Sequence, residues 1–267
     1  MSDEVVSPAR PGDNGAMTMR APPPPPAAPA PRPAPDPGPA VPPLEPGDHL
    51  TRDEFERRFD ATPGLKRAEL IEGVVYMPPA VRWDHHANPH ADLICWLVHY
   101  RASTPGVQVG AEGSIRLDLE NEPQPDATVI IAPEHGGRAR VSADDYVEGA
   151  PELVAEVAAS TVGMDLNTKM RVYRRNGVQE YLVWRVRDRE VDWFALRGGQ
   201  YERLVPGPDG ITRSDVFPGL WLDAASLVRG DVATVLKVLQ QGLATPEHAA
   251  FVARLGAPPP PTEPPRP

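Results

Sequence analysis

Cysteine is almost missing from this 267-residue chain: Cys95 stands alone, so no intramolecular disulfide can form. It sits among Leu93, Ile94, Trp96, Leu97 and Val98, which reads as a packed core thiol rather than a nucleophile. No apolar run approaches the roughly 18 residues that a membrane span needs. The N-terminus also lacks a signal-peptide h-region, so a cytoplasmic protein with no membrane contact is expected. Positive charge is in deficit: 27 Lys and Arg face 37 Asp and Glu, a formal net charge of −10. The bulk surface therefore does not favour a polyanionic partner, which would need a local basic face. Serine hydrolase, kinase and zinc peptidase motifs are absent. His135-Gly-Gly137 lacks the strand, lysine and helix order of a phosphate-binding loop.

Proline, in contrast, is plentiful at 36 residues and is concentrated at the ends. Residues 1–46 read as a disordered Pro/Ala-rich tail, with Pro22–Pro26 unbroken, and residues 257–267 repeat the pattern. Between them lies one folded domain, residues 47–225, followed by a helical hairpin at residues 226–256 that is expected to pack on it.

Thr51-Arg-Asp-Glu54 has the pattern of a capping box ahead of Phe55 and Phe59. Glu69–Met77 reads as two short strands folded at Glu72-Gly73. Asn88-Pro89 predicts a capped helix running to about Ser103, with Ala91, Ile94, Cys95 and Val98 on its apolar face. On that reading His86 and His90 straddle the cap and share no helical face, so they make no metal pair. Strands are expected at Val107–Glu112, Ser114–Leu119, Gln179–Val186, Val191–Leu196 and Tyr201–Val205. Trp184, Trp193 and Phe194 read as core or cross-strand pairs. Pro133–Ala143 reads as a flexible loop or substrate lid.

The chemistry concentrates between Pro125 and Lys169. Asp126 opens the β-branched run Ala127–Ile131, and Glu156 lies inside a second apolar run with Leu153, Val154 and Val157. An unpaired carboxylate in such a run costs several kcal/mol, so two of them on neighbouring strands call for a cation between them. A divalent ion with hard oxygen ligands and open water positions, Mg²⁺ or Mn²⁺, fits that need. Lys169, one helical turn past Asp165, adds a positive charge. Two carboxylates, a lysine and a metal suit phosphodiester hydrolysis. Taken singly, Asp126 also reads as a turn residue, Glu156 as half of a salt bridge, and Asp165 with Lys169 as a surface i, i+4 pair.

Pro125-Asp126, Glu152-Leu-Val-Ala-Glu156-Val-Ala-Ala-Ser160, Asp165-x-x-x-Lys169-x-x-x-Tyr173 and Gly177-Val-Gln-Glu-Tyr-Leu-Val-Trp184 together resemble the Uma2 putative restriction endonuclease family, a branch of the PD-(D/E)XK nuclease superfamily. Glu69-Leu-Ile-Glu-Gly73 and Pro89-His90 add to the resemblance, which spans roughly residues 50–225. It implies an α/β (α+β) fold: a mixed central β-sheet flanked by helices, with a restriction-endonuclease-like core. Asp126 and Glu156 match the family's metal ligands, joined by the Val157 carbonyl, and Glu69 matches a further acidic position. The lysine of the parent superfamily would stand at Ala158; in members resembling this chain it is relocated, and Lys169 is the matching position. His90 matches a position that is often histidine. The resemblance thus implies a Mg²⁺- or Mn²⁺-dependent endonuclease acting on DNA, RNA not being excluded, and acting as a homodimer where both strands are cut. The alternative is a catalytically silent module that binds nucleic acid or protein. Lys169, Arg171, Arg174, Arg175, Arg185, Arg187 and Arg189 supply a candidate basic face.

Overall fold

A computed structural model describes residues 41–78 and 80–257. Most of the N-terminal tail and nearly all of the C-terminal one lie outside these residues. Within the stretch assigned to the first tail, Leu44 is already buried against the cluster of Phe55, Leu70 and Val75.

The elements in chain order begin with α1 (Arg52–Asp60), the hairpin β1 (Glu69–Ile71) and β2 (Val74–Tyr76), and α2 (Asn88–Ala102). Strands β3 (Val107–Ala111), β4 (Ile115–Arg116), β5 (Ala127–Ile131), β6 (Arg140–Val141), β7 (Val147–Glu148) and β8 (Leu153–Ala158) follow. Then come α3 (Met170–Asn176), β9 (Glu180–Arg185), β10 (Glu190–Arg197), β11 (Gln200–Arg203), β12 (Thr212–Arg213) and β13 (Trp221–Leu222). Helices α4 (Ala224–Leu227), α5 (Val232–Leu243) and α6 (Pro246–Leu255) complete the described chain.

Six strands form the central sheet in the order β11-β10-β9-β8-β5-β3. It is mixed: β8 and β9 run parallel, and every other neighbouring pair is antiparallel. All six residues of β8 are buried, as expected of a strand covered on both faces. Leu153, Ala155 and Val157 pack in one cluster with Leu93, Trp96 and Leu97 of α2. Val154 and Ala158 pack in the other with Tyr173 of α3 and Tyr181 of β9. By that alternation Glu156 lies on the α3 side. Val235, Leu239, Phe251 and Leu255 of α5 and α6 belong to the same cluster as Trp96 and Trp193.

Several local expectations are corrected. Thr51 makes no side-chain cap bond, and the Glu54 carboxylate that would complete a capping box is held instead by Arg57 and Arg58 at 2.7 and 2.6 Å. The α2 helix has apolar residues all round, so its buried face could not be chosen from pattern. It buries Leu93, Trp96, Leu97 and Tyr100, and Cys95 faces solvent. Trp96 Nε1 and Tyr100 Oη fix this choice by donating to the carbonyls of Trp221 and Pro218. The Pro133–Ala143 segment is anchored rather than lid-like. His135 Nδ1 lies 2.6 Å from the Leu255 carbonyl, the Arg138 N–H donates to Glu152, and a Cβ on Gly137 would stand 1.6 Å from the Ile131 carbonyl oxygen.

Candidate metal centre

The β5–β8 register pairs Ala127 with Ala155 and Val129 with Leu153, so one further step brings Asp126 opposite Glu156. The Val157 N–H donates to Asp126 Oδ2 at 2.7 Å, locking the carboxylate to the neighbouring strand. Hairpin β1–β2 turns at Glu72-Gly73, both with positive φ (52° and 74°), the two-residue turn that matches strand twist. Leu70 bridges to Glu122, and this brings Glu69 beside the segment leading into β5. Glu69 Oε1 accepts from the Gln124 N–H at 2.8 Å.

Lys169 connects these pieces. The chain from Met164 to Lys169 is wound as a wide π-helical turn that runs directly into α3, and it buries both Asp165 and Lys169. Such turns are inserted residues that re-aim side chains, and they recur at functional sites. Lys169 Nζ donates to Glu69 Oε1 at 2.8 Å and to Glu156 Oε1 at 3.0 Å, and Tyr173 Oη donates to the same Glu156 oxygen at 3.0 Å. The structure thus brings together Asp126, Glu156, Lys169 and Glu69, with Val157 between the first two. The surface-pair reading of Asp165 and Lys169 does not hold, since they are only 2% and 5% exposed.

Charge balance in the cluster is uneven. Glu69, Asp126, Glu156 and Asp165 are each 6% exposed or less, and the fixed cations facing them are Lys169 and the partly buried Arg67, whose Nη2 lies 3.4 Å from Asp126 Oδ1. Four carboxylates against two fixed cations leave two negative charges over when all are ionised. Burial drives Glu156 well above the ordinary carboxylate range against the pull of Lys169, and Asp165, Asp126 and Glu69 push it further. Burial likewise pushes Asp165 up to about 6, against Lys169 and a hydrogen bond from Thr161. For Asp126, burial is outweighed by His86, the Val157 N–H and Arg67, and its carboxyl is held below the usual range. Lys169 is shifted up, because Glu156, Glu69 and Asp165 overcome its own desolvation.

Two other buried carboxylates carry several donors of their own. Glu152 accepts from the N–H groups of Ile131 and Arg138, and Glu180 from Ser214, Trp193 and the N–H groups of Asp215 and Val216. Those two are structural anchors with their own donors. The donor set at Asp126 and Glu156, hard oxygens with surplus negative charge, fits one divalent cation of the Mg²⁺ or Mn²⁺ kind.

Sequence reasoning set aside or missed three neighbours. Residues Trp83–Ala87 form a second π-helical turn continuous with α2, so Asn88 is no cap. The Asn88 N–H bonds the Trp83 carbonyl five residues back, a widened turn that makes room for Pro89, which has no N–H and would clash in a regular one. His86 and His90 therefore share one helical run, with ring centroids 5.6 Å apart, contrary to the expectation that a cap separates them. His86 Nδ1 lies 3.1 Å from the Val157 carbonyl, and Nε2 lies 3.2 Å from Asp126 Oδ1. The nearby carboxylate raises the affinity of His86 for a proton in spite of burial. Arg67 carried no signal, because its 59-residue separation from Asp126 is closed only by the fold.

Half of the arginines on the expected basic face are engaged in ion pairs. Arg171 and Arg175 contact Glu72 at 3.5 and 3.4 Å, and Arg185 contacts Asp188, Glu190 and Asp192. Among the described residues no helix is long and apolar enough to cross a membrane.

Residues 52–225 match the Uma2 family model, described as "Putative restriction endonuclease". A solved structure titled as a putative nuclease belonging to DUF820 from Anabaena variabilis ATCC 29413 is similar at 16% identity. That match covers 67% of this chain and 99% of the other, with a TM-score of 0.48. No curated protein matches the chain.

Proposed function

The chain belongs to the Uma2 putative restriction endonuclease family, and from that premise we propose that it is a metal-dependent endonuclease hydrolysing DNA phosphodiester bonds. The observation that carries this reading is the buried cluster of four carboxylates, whose charge Lys169 and Arg67 only half offset.

Asp126 and Glu156 would hold a Mg²⁺ or Mn²⁺ ion at this site, with the Val157 carbonyl at its edge. When bound, the ion lowers the pKa of a coordinated water and stabilises charge on the phosphoryl oxygens. The protein's own groups supply orientation. The Val157 N–H fixes Asp126 Oδ2, and Tyr173 Oη and Lys169 Nζ fix Glu156 Oε1. Glu69, anchored by Gln124, holds the other side of the Lys169 ammonium. Lys169 is thereby kept charged and stationary, able to position a water or a phosphate oxygen. Its test is cleavage of supercoiled plasmid, single-stranded DNA and RNA with Mg²⁺ or Mn²⁺, beside an EDTA control and Glu156→Gln. Metal-dependent cutting that the substitution removes is the expected result, and cutting that survives it would refute the assignment.

The ion-paired surface arginines favour one other reading, a silent module of the same fold that binds protein or nucleic acid without turnover. It predicts metal binding with no cleavage of any of the three substrates.

A further inference from the structure

We infer that His86, His90 and Glu112 form a second metal site beside the carboxylate cluster, one that takes a borderline first-row divalent ion such as Zn²⁺ or Co²⁺. The inference rests on its own donors and not on the nuclease reading. One possible ligand atom from each residue lies within 4.8 Å of the other two. Ligands about 2.1 Å from a common ion stand no more than about 4.2 Å apart. Closure by roughly half an ångström is therefore required, and the exposed Glu112 side chain can swing that far.

The imidazoles are already oriented as metal ligands usually are. His86 Nδ1 meets the Val157 carbonyl at 3.1 Å, and His90 Nε2 meets the Asp126 carbonyl at 2.7 Å. A carbonyl oxygen only accepts, so each of these nitrogens carries a proton, and in the neutral ring the opposite nitrogen presents the lone pair that an ion would take. A ligating histidine typically makes this outer bond, which fixes tautomer and ring plane. His86 Nε2 is moreover buried and makes no well-aligned hydrogen bond, its polar neighbour being Asp126 Oδ1 at 3.2 Å. An ion bound there would therefore displace a loose contact rather than a well-formed bond. The wide turn ahead of Pro89 is what places the two rings together.

Nitrogen donors separate this site chemically from its neighbour. Imidazole prefers borderline ions, whereas the oxygens of Asp126 and Glu156 suit hard ones. Arg67 spans the two, with Nη1 3.0 Å from Glu112 and Nη2 3.4 Å from Asp126, so an ion bound at Glu112 competes with a guanidinium that also steadies Asp126.

The test uses the full-length protein, with Zn²⁺ and Co²⁺ binding measured by equilibrium dialysis and by the visible absorption of bound Co²⁺. His90→Ala and His86→Ala are each expected to weaken both ions at least on the order of tenfold, the loss that even an outer-shell partner produces. Glu156→Gln is expected to leave them unchanged while weakening Mg²⁺. Glu112→Gln, an exposed and isosteric substitution, should weaken Co²⁺ and alter its spectrum. Zn²⁺ affinity unchanged in Glu112→Gln and His90→Ala would overturn the site. Metal held only through Asp126 and Glu156 would do the same and leave the nuclease reading standing. Zn²⁺ held through the imidazoles by a protein that cuts nothing would support this site and remove the nuclease.

Discussion

Replacing Lys169 by methionine keeps the stem of the side chain and deletes its charge, which makes it a direct probe of the cluster. In the folded chain this strips Glu69 and Glu156 of a donor at 2.8 and 3.0 Å and leaves both carboxylates buried. Breaking a buried pair by removing one partner costs about 3–5 kcal/mol. For a domain of this size each kcal/mol moves the melting temperature by about 2–4 °C, so the metal-free variant should melt about 6–20 °C below the parent. On the proposed reading a divalent ion would reverse part of the deficit, since it would restore positive charge beside Glu156. An ion at 100 times its dissociation constant contributes about 2.7 kcal/mol. Binding should also tighten, because the ion no longer faces an ammonium; relief of 1.4 kcal/mol already means tenfold. The assay is thermal melting of both proteins in EDTA and across a Mn²⁺ titration, with cleavage measured alongside. The expected pattern is a lower melting point in EDTA, a larger Mn²⁺-induced rise in the variant, and no cleavage. A variant that melts with the parent in EDTA, or that gains no more from Mn²⁺ than the parent does, would refute the charge argument.

Asp165, pushed up to about 6 chiefly by burial, binds its proton more tightly folded than unfolded. Its stabilising contribution is full below about pH 3.8 and is lost as pH rises through about 6. Asp165→Asn should therefore melt with the parent near pH 4 and several degrees above it at pH 8. Glu122 follows the same sign over a wider window. Burial and Glu56 push its carboxyl up to about 9, so Glu122→Gln should gain on the parent steadily from about pH 4.5 to pH 9, and a flat difference across that series would contradict the shift. In Gly242→Ala the new methyl would stand 2.3 Å from the Gly219 carbonyl oxygen and 2.8 Å from Trp221 Cγ. The resulting overpacking of about 1–3 kcal/mol should lower a single melting transition; a separate early step for the C-terminal helices would show that α5 is not part of the common core.

Strand-borne features were legible in the sequence, and helix-borne geometry was not. Asp126 and Glu156 announced themselves as carboxylates placed in β-branched apolar runs, and β5 and β8 then put them in register. The Glu72-Gly73 turn was readable because left-handed backbone at both central positions selects glycine at one of them. By contrast, both wide helical turns escaped. A π-helical insertion leaves no composition signal, and Asn88-Pro89 looks the same whether it starts a helix or interrupts one. That single ambiguity hid His86, which touches both Asp126 and Val157. Cys95 failed for a related reason: with apolar residues on every side of α2, the buried face was decided by Trp96 and Tyr100 finding carbonyl acceptors across the core. Arg67 and Glu112 meet Asp126 only through the folded topology, which local pattern cannot reveal.

The ion pairs also change where attraction for a phosphodiester must originate. The arginines that follow β8 look in the sequence like a cationic surface, yet Arg171, Arg175 and Arg185 each lie against acids in the fold. An exposed pair of this kind is worth only about 0–1 kcal/mol, so a phosphate can take over the arginine at small cost, but it gains correspondingly little long-range pull. The net charge of −10 acts against the approach of a polyanion, so any attraction must be local. When ionised, the buried carboxylates carry surplus negative charge of their own, and this repels a phosphate. On the metal-dependent reading proposed above, a cation bound at these carboxylates would offset that charge before a phosphodiester enters, and not only activate the water once it has.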